Sequence, residues 1–318
     1  MLPLALTGLL ALSACQLAGH DDAAGDARRL NTMEALPLYA YLPDPSSDGG
    51  KSIGKAQWIL AKQCMVRLGF SGFAMLNGAA VESTYPVRRG TLVSRGTIGD
   101  ESPYGVDDPD RAAEHGYHDR GQEESSQPQE WPADQYVALT GRFDSGDSHQ
   151  AHGHPIPEGG CLGQATRTIY GPSPRTTKVN GLKLSGTYSP AVELWYESHK
   201  EARKDPAWKK ADRAWSACMK EEGFRYPEPD KASLDSAWYR SDRPSGKEKK
   251  TAAADARCKL DTDYIGTVHA IEARAQKAVI GKHTKELGAM RAADERAVRN
   301  ARTIIDKESK ESKESKES

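Results

Sequence analysis

The phrase Cys-Met-x-x-x-Gly-Phe occurs twice in this chain, at Cys64–Phe70 and at Cys218–Phe224. Each copy closes a stretch with helical apolar spacing. The glycine supplies a left-handed stop, the phenylalanine folds back as an apolar anchor, and the cysteine falls on the last turns of the helix. One further cysteine follows each copy, Cys161 after the first and Cys258 after the second. In an exported chain four cysteines read as a disulfide framework, and four permit three pairings that spacing does not separate. The economical pairing, given the repeat, is Cys64–Cys161 and Cys218–Cys258, one bridge in each of two lobes. A four-cysteine zinc site is the competing reading, but no close Cys-x-x-Cys spacing supports it.

Export is read from the N-terminus. Residues 2–12 are apolar and uncharged. They are too few to span a bilayer, which takes about 20 residues, and match the apolar core of a secretory signal. Leu12-Ser13-Ala14-Cys15 then resembles a bacterial lipobox. The resemblance implies a signal peptide over residues 1–14 and a diacylglycerol-modified Cys15, hence attachment to the membrane by a lipid anchor. One feature departs from the pattern, since no Lys or Arg precedes the apolar run. Residues 15–50, rich in Gly, Ala and charge at their start, read as a flexible tether.

Hydrophobic residues make up 37% of the 318 and the formal net charge is -1. The first figure excludes a polytopic membrane protein, and the second argues against nucleic acid as a partner. The charge is uneven. Residues 1–200 carry 17 basic and 23 acidic side chains, whereas the remainder is net basic, and this points to two lobes. The expected fold is mainly α, with a few short strands in an N-terminal lobe at 51–185. A helical C-terminal lobe should follow at 186–305, each lobe stapled by one disulfide.

In the first lobe a helix is expected over about 53–68, capped by Ser52, with strands within 84–98. Asp108-Pro109 opens a short helix, residues 119–156 form a long polar loop, and Cys161 opens another helix. In the second, helices start at Ser189-Pro190 and Asp205-Pro206, and a run from about Gly246 to Ile305 needs a break near Gly266, Gly281 or Gly288. The Lys-Glu-Ser repeat at 306–318 reads as disordered.

Taken together, the lipobox, the two cysteine phrases, Tyr104-Gly105 with Gly116-Tyr117, Pro157-Glu158-Gly159-Gly160-Cys161 and Ala254–Lys259 resemble a group of secreted lipoproteins of actinobacteria. The likeness covers most of residues 52–290. It implies an envelope location, and brings neither an activity nor a catalytic residue.

Chemistry-bearing patterns are sparse. His149, His152 and His154, with Asp144 and Asp147, form the best metal candidate, but they sit in a polar loop with no helix to fix them. Gly146-Asp147-Ser148 lacks the Asp-x-x-His partner of serine hydrolases. Ser52-Ile53-Gly54-Lys55 lacks the Lys-Thr-Gly strand of penicillin-recognising enzymes. Trp208 and Trp215 share a helix face, which favours core packing over a ligand groove. No catalytic residue, metal or cofactor is therefore assigned. The expectation is a non-catalytic, lipid-anchored extracytoplasmic protein that binds or scaffolds an envelope component. The alternatives are a solute- or cell-wall-binding receptor and an envelope hydrolase.

Overall fold

A computed structural model describes residues 24–78, 81, 84–89, 102–118, 127–172, 177–179, 182–184, 187–241 and 243–317. The signal peptide, Cys15, the first part of the tether, residues 90–98 and loop residues 119–126 lie outside this set. The fold is mainly helical. In chain order the helices are α1 (24–30), α2 (Asp48–Arg67), α3 (Pro109–His115), α4 (Ala133–Thr140), α5 (Gly160–Tyr170) and α6 (Ser189–Ala202). Then come α7 (Pro206–Glu221), α8 (Pro229–Ser233), α9 (Gly246–Asp261), α10 (Tyr264–Lys282) and α11 (Thr284–Glu317). Among the described residues no helix is long and apolar enough to cross a membrane.

The strands are short and fall between residues 84 and 184. β1 (Thr84–Arg88) pairs in parallel with β2 (Gln127–Trp131), β3 (Gln150–Ala151) forms a hairpin with β4 (His154–Pro155), and β5 (Thr177–Val179) one with β6 (Leu182–Leu184).

Local chemistry sets the helix ends. Asp108 caps α3 by accepting from the Asp110 and Arg111 amides at 3.1 Å, and Asp205 caps α7 by accepting from Ala207 at 2.8 Å. Each is followed by proline at the first helical position, which has no amide hydrogen to leave unpaired. α9 opens with a reciprocal capping box between Ser245 and Glu248.

The described residues divide into two compact units, each assembled from three separated segments: 24–39, 102–118 and 198–276 in the first, the remainder in the second. This differs from the consecutive lobes at 51–185 and 186–305. A charge shift along the sequence reports composition, whereas compactness follows long-range contact. In the first unit α3, α7, α8, α9 and most of α10 enclose Trp208, Trp215, Met219, Trp238, Ile265 and Val268. In the second, α2 packs on α5 and α11. One core there is aromatic, with Trp131 stacked on Trp58 and Phe73 at 6.4 and 5.0 Å. Another is built of small residues, Ala56, Ala297 and Ala301 around Ile169.

Five other expectations are corrected. Residues 24–50 of the expected flexible tether are ordered as α1, two 3-10 turns and the start of α2, because Asn31, Leu36 and Leu38 are buried. α2 begins at Asp48, not 53, because Asp44 turns the chain by accepting from the Ser46 and Ser47 amides, and Ser47 then caps Gly50 at 3.0 Å. Ser52 lies inside the helix. The described part of the polar loop 119–156 holds β2, α4 and the β3–β4 hairpin, because Val137, Ala138 and Leu139 give it a buried face. The helical run breaks at Thr262-Asp263 and at His283, not at its glycines. The 306–318 tail is helical through Glu317. Lys and Glu are good helix formers, Lys307 faces Glu311 one turn on, and Gln63 of α2 donates to Glu308 at 3.0 Å.

Candidate functional site

The two cysteine phrases build the same object. In the second unit, the Phe70 amide donates to the Met65 carbonyl and Gly69 to Val66, both at 3.0 Å. In the first unit, Phe224 donates to Met219 at 2.8 Å and Gly223 to Lys220 at 3.1 Å. This six-to-one and five-to-two pattern is a Schellman cap, and it requires positive φ at the glycine. Gly69 has φ 92° and Gly223 φ 89°. Phe70 and Met65 join one apolar core, Phe224 and Met219 the other. The cysteine one residue before the methionine is bridged in both: Cys64–Cys161 with Cα atoms 5.6 Å apart, Cys218–Cys258 with 5.7 Å. The economical pairing is thus the observed one. Cys15 lies outside the described residues.

What surrounds the first cap makes a cleft. The β3–β4 hairpin folds over the end of α2, and His152 Nδ1 donates to the Leu68 carbonyl at 2.9 Å. The His152 ring sits edge-on to Phe70 at 4.7 Å. A Cβ on Gly69 would stand 2.9 Å from that ring, so only glycine lets the hairpin dock. Docking carries His154 to the flank of α2, and the Cys64–Cys161 bridge holds α5 beside it. The result is a cleft of about 250 Å³ lined by Cys64, Arg67, Leu68, His154, Pro155, Pro157 and Gln164. Its polar heads come from three elements, α2, β4 and α5. Within the described residues, the Arg67, His154 and Gln164 side chains have no hydrogen-bond or ion-pair partner. A second cleft, of about 320 Å³, is lined by Pro86, Thr140, Arg142, Gly159 and Leu162, where Arg142 is the charged group.

The three histidines of the metal candidate are put to separate uses. His149 stacks on Phe143 at 4.0 Å, His152 holds the helix end, and His154 faces the cleft. Among the described residues no group of three or more His, Cys, Asp or Glu is placed to hold a metal ion. Asp147 accepts from the Asp144 amide and is engaged by Arg88, which in that order hold its carboxyl below the usual range. The Ser148 and Ser52 hydroxyls donate to the Gln150 and Asp48 carbonyls at 2.8 and 2.7 Å. Trp208 and Trp215 are core residues.

The first unit holds a polar network that sequence patterning does not reveal. Asp255 and Lys259, one turn apart on α9, are 0% and 1% exposed and paired at 3.1 Å. Asp255 also accepts from Trp215 Nε1 at 2.9 Å and the Tyr117 hydroxyl at 3.1 Å, while Lys259 donates to the Val106 carbonyl. Burial pushes the Asp255 carboxyl up, and the Lys259 ammonium opposes that push. Glu248 accepts from the Tyr117 amide and meets His118 Nδ1 at 2.7 Å. Glu272 accepts from the Tyr104 hydroxyl at 3.1 Å and meets His199 Nδ1 at 3.0 Å. Burial, reinforced by Glu272 and Asp255, drives the Tyr104 and Tyr117 phenols far above their ordinary range. Every carboxylate oxygen of the Asp255 and Glu272 side chains is occupied from within the protein, so this network fastens the unit. The cleft of the second unit differs: its Arg67, His154 and Gln164 heads are exposed and have no partner among the described residues.

Set against protein-family models, curated proteins and solved structures, the chain matches none.

Proposed function

We propose that this chain is a lipid-anchored extracytoplasmic protein that binds or scaffolds another component of the envelope and catalyses no reaction. The observation that carries the reading is one disulfide in each compact unit, since such bonds persist in oxidising compartments outside the cytoplasm. Leu12-Ser13-Ala14-Cys15 supports the anchor. The partner is an envelope protein or a cell-wall component. A near-zero net charge speaks against nucleic acid.

Cell fractionation with metabolic labelling by an alkyne fatty acid tests this. The wild-type chain should take up label and sediment with membranes, and Cys15→Ala should lose both. A Cys15→Ala chain that still sediments with membranes would sink the anchor. Cross-linking before membrane extraction should then co-purify the partner.

One observation favours a second reading, a receptor that binds a small solute or a cell-wall fragment. It is the cleft beside Cys64–Cys161, lined by a guanidinium, an imidazole and an amide that have no partner among the described residues.

A further inference from the structure

From the cleft at the end of α2 we infer a binding site for a small carboxylate that carries an adjoining apolar group, as at the C-terminus of a short peptide. The inference rests on the receptor reading and is independent of the anchor.

Charge comes first. Arg67 is the charged group lining the cleft, His154 and Gln164 stand beside it, and no carboxylate lines it. The occupant is therefore an anion. The end of α2 does not oppose it with bare carbonyls, because the Cys64, Met65, Val66 and Leu68 carbonyls are taken up by the Leu68, Phe70 and Gly69 amides and by His152.

The geometry of donors narrows the class. Guanidinium presents a planar fork that matches a carboxylate in two parallel hydrogen bonds. An amide and an imidazole on the other walls suit a second acceptor, such as a peptide carbonyl.

The remaining lining is apolar: Leu68, Pro155, Pro157 and the disulfide at Cys64. A bare inorganic anion would leave those surfaces wet, whereas a methyl-sized side chain next to the carboxylate would cover them. Size agrees. The cleft's volume of about 250 Å³ falls below the range of roughly 300–1,000 Å³ typical of drug-sized ligands, so one or two residues fill it. The backbone of its walls is held by the disulfide and by the hairpin docked at Gly69, so binding has to order only the exposed Arg67, His154 and Gln164 side chains.

Titration calorimetry of the purified full chain tests the assignment, with N-acetyl-alanyl-alanine as the probe. Its C-terminal amide, propionate and inorganic phosphate are the comparison arms. Saturable binding of the peptide acid, with the amide at least about tenfold weaker, is expected from loss of one charge-assisted hydrogen bond. Propionate matching the peptide would support the carboxylate site and name a free small acid as its source. Arg67→Met should weaken binding by about tenfold or more. Gln164→Ala should weaken it less, and Arg142→Met in the other cleft should leave it unchanged. Equal binding of acid and amide, preference for phosphate, an unchanged Arg67→Met affinity, or no binding by any arm would each overturn the proposal. Cys15→Ala should bind as the wild type does, so failure of the ligand and failure of the anchor are told apart.

Discussion

The two Cys-Met-x-x-x-Gly-Phe segments share the backbone features of a capped helix end, yet they differ in what is laid upon the cap, and the first lines a cleft. At Gly69 the space a Cβ would need is taken by His152, and the docked hairpin brings His154 and two prolines against α2. At Gly223 nothing lies within 4 Å of that space. The same seven-residue phrase thus serves once as a platform and once as a plain terminus. The cap is local chemistry, and what the cap is used for depends on which distant segment is laid upon it.

Opening each bridge is the strongest way to break the comparison. The closed loops are 97 residues for Cys64–Cys161 and 40 for Cys218–Cys258. Loop-closure entropy then gives about 4.7 kcal/mol for the first and about 3.9 for the second. Replacing each pair by serine should shift denaturant unfolding by these amounts, with the first pair costing more.

Lys259→Met comes next. It leaves Asp255 buried without its counter-charge, so about 3–5 kcal/mol of stability should vanish from the first unit. Adding Asp255→Leu should restore part of it, and a double-mutant cycle by denaturant titration reads the coupling.

The glycines sharpen the contrast directly. Gly223→Ala should cost about 1–2 kcal/mol, the strain of a side chain at positive φ. Gly69→Ala should add about 1–3 kcal/mol for the collision with His152. Equal losses in thermal unfolding would mean that the hairpin yields at no cost.

The smallest effect is in alkali. Tyr104, Tyr117 and Tyr264 hold their protons far above the ordinary phenol range, mainly through burial and secondly through Glu272, Asp255 and Asp212. A folded-state pKa raised above the unfolded value contributes stability that is whole below about pH 10 and is lost as pH rises further, by about 1.4 kcal/mol per pH unit for each group. Tyr117→Phe should flatten that slope by one such increment, followed by helical circular dichroism between pH 9 and 11.

Much of this architecture could be read from the chain before folding. Asp108-Pro109, Asp205-Pro206 and the two Gly-Phe stops are short-range signals, and each sits where its chemistry demands. The repeat made the observed cysteine pairing the economical one of three that spacing leaves open. The cleft did not, because Arg67, His154 and Gln164 are spread over nearly a hundred residues and only the docked hairpin gathers them. The buried face of α9 was equally opaque. Glu248, Thr251, Ala252, Asp255 and Lys259 are wholly or almost wholly enclosed, yet their mix of alanine and charge looks like a solvated helix. The early start of α2 was hidden by Gly49-Gly50, which weigh against a helix. Both are accommodated, because Gly50 lies against the Asp44 carbonyl and Gly49 against Val298.

The interleaving of segments sets the order in which the protein can come into being. The Leu38 amide is satisfied by the buried Gln276 Oε1 at 2.9 Å, a bond between residues 238 apart. Asn31 likewise waits for Tyr104 and Gly105. Residues 24–39 are made well before their partners: Arg28 and Asn31 need residues 104–108, and Ala35 and Leu38 need His269 and Gln276 of α10. The first unit cannot close before α10 is made, and neither unit can be cut out as one continuous fragment. Closure over such spans is slow.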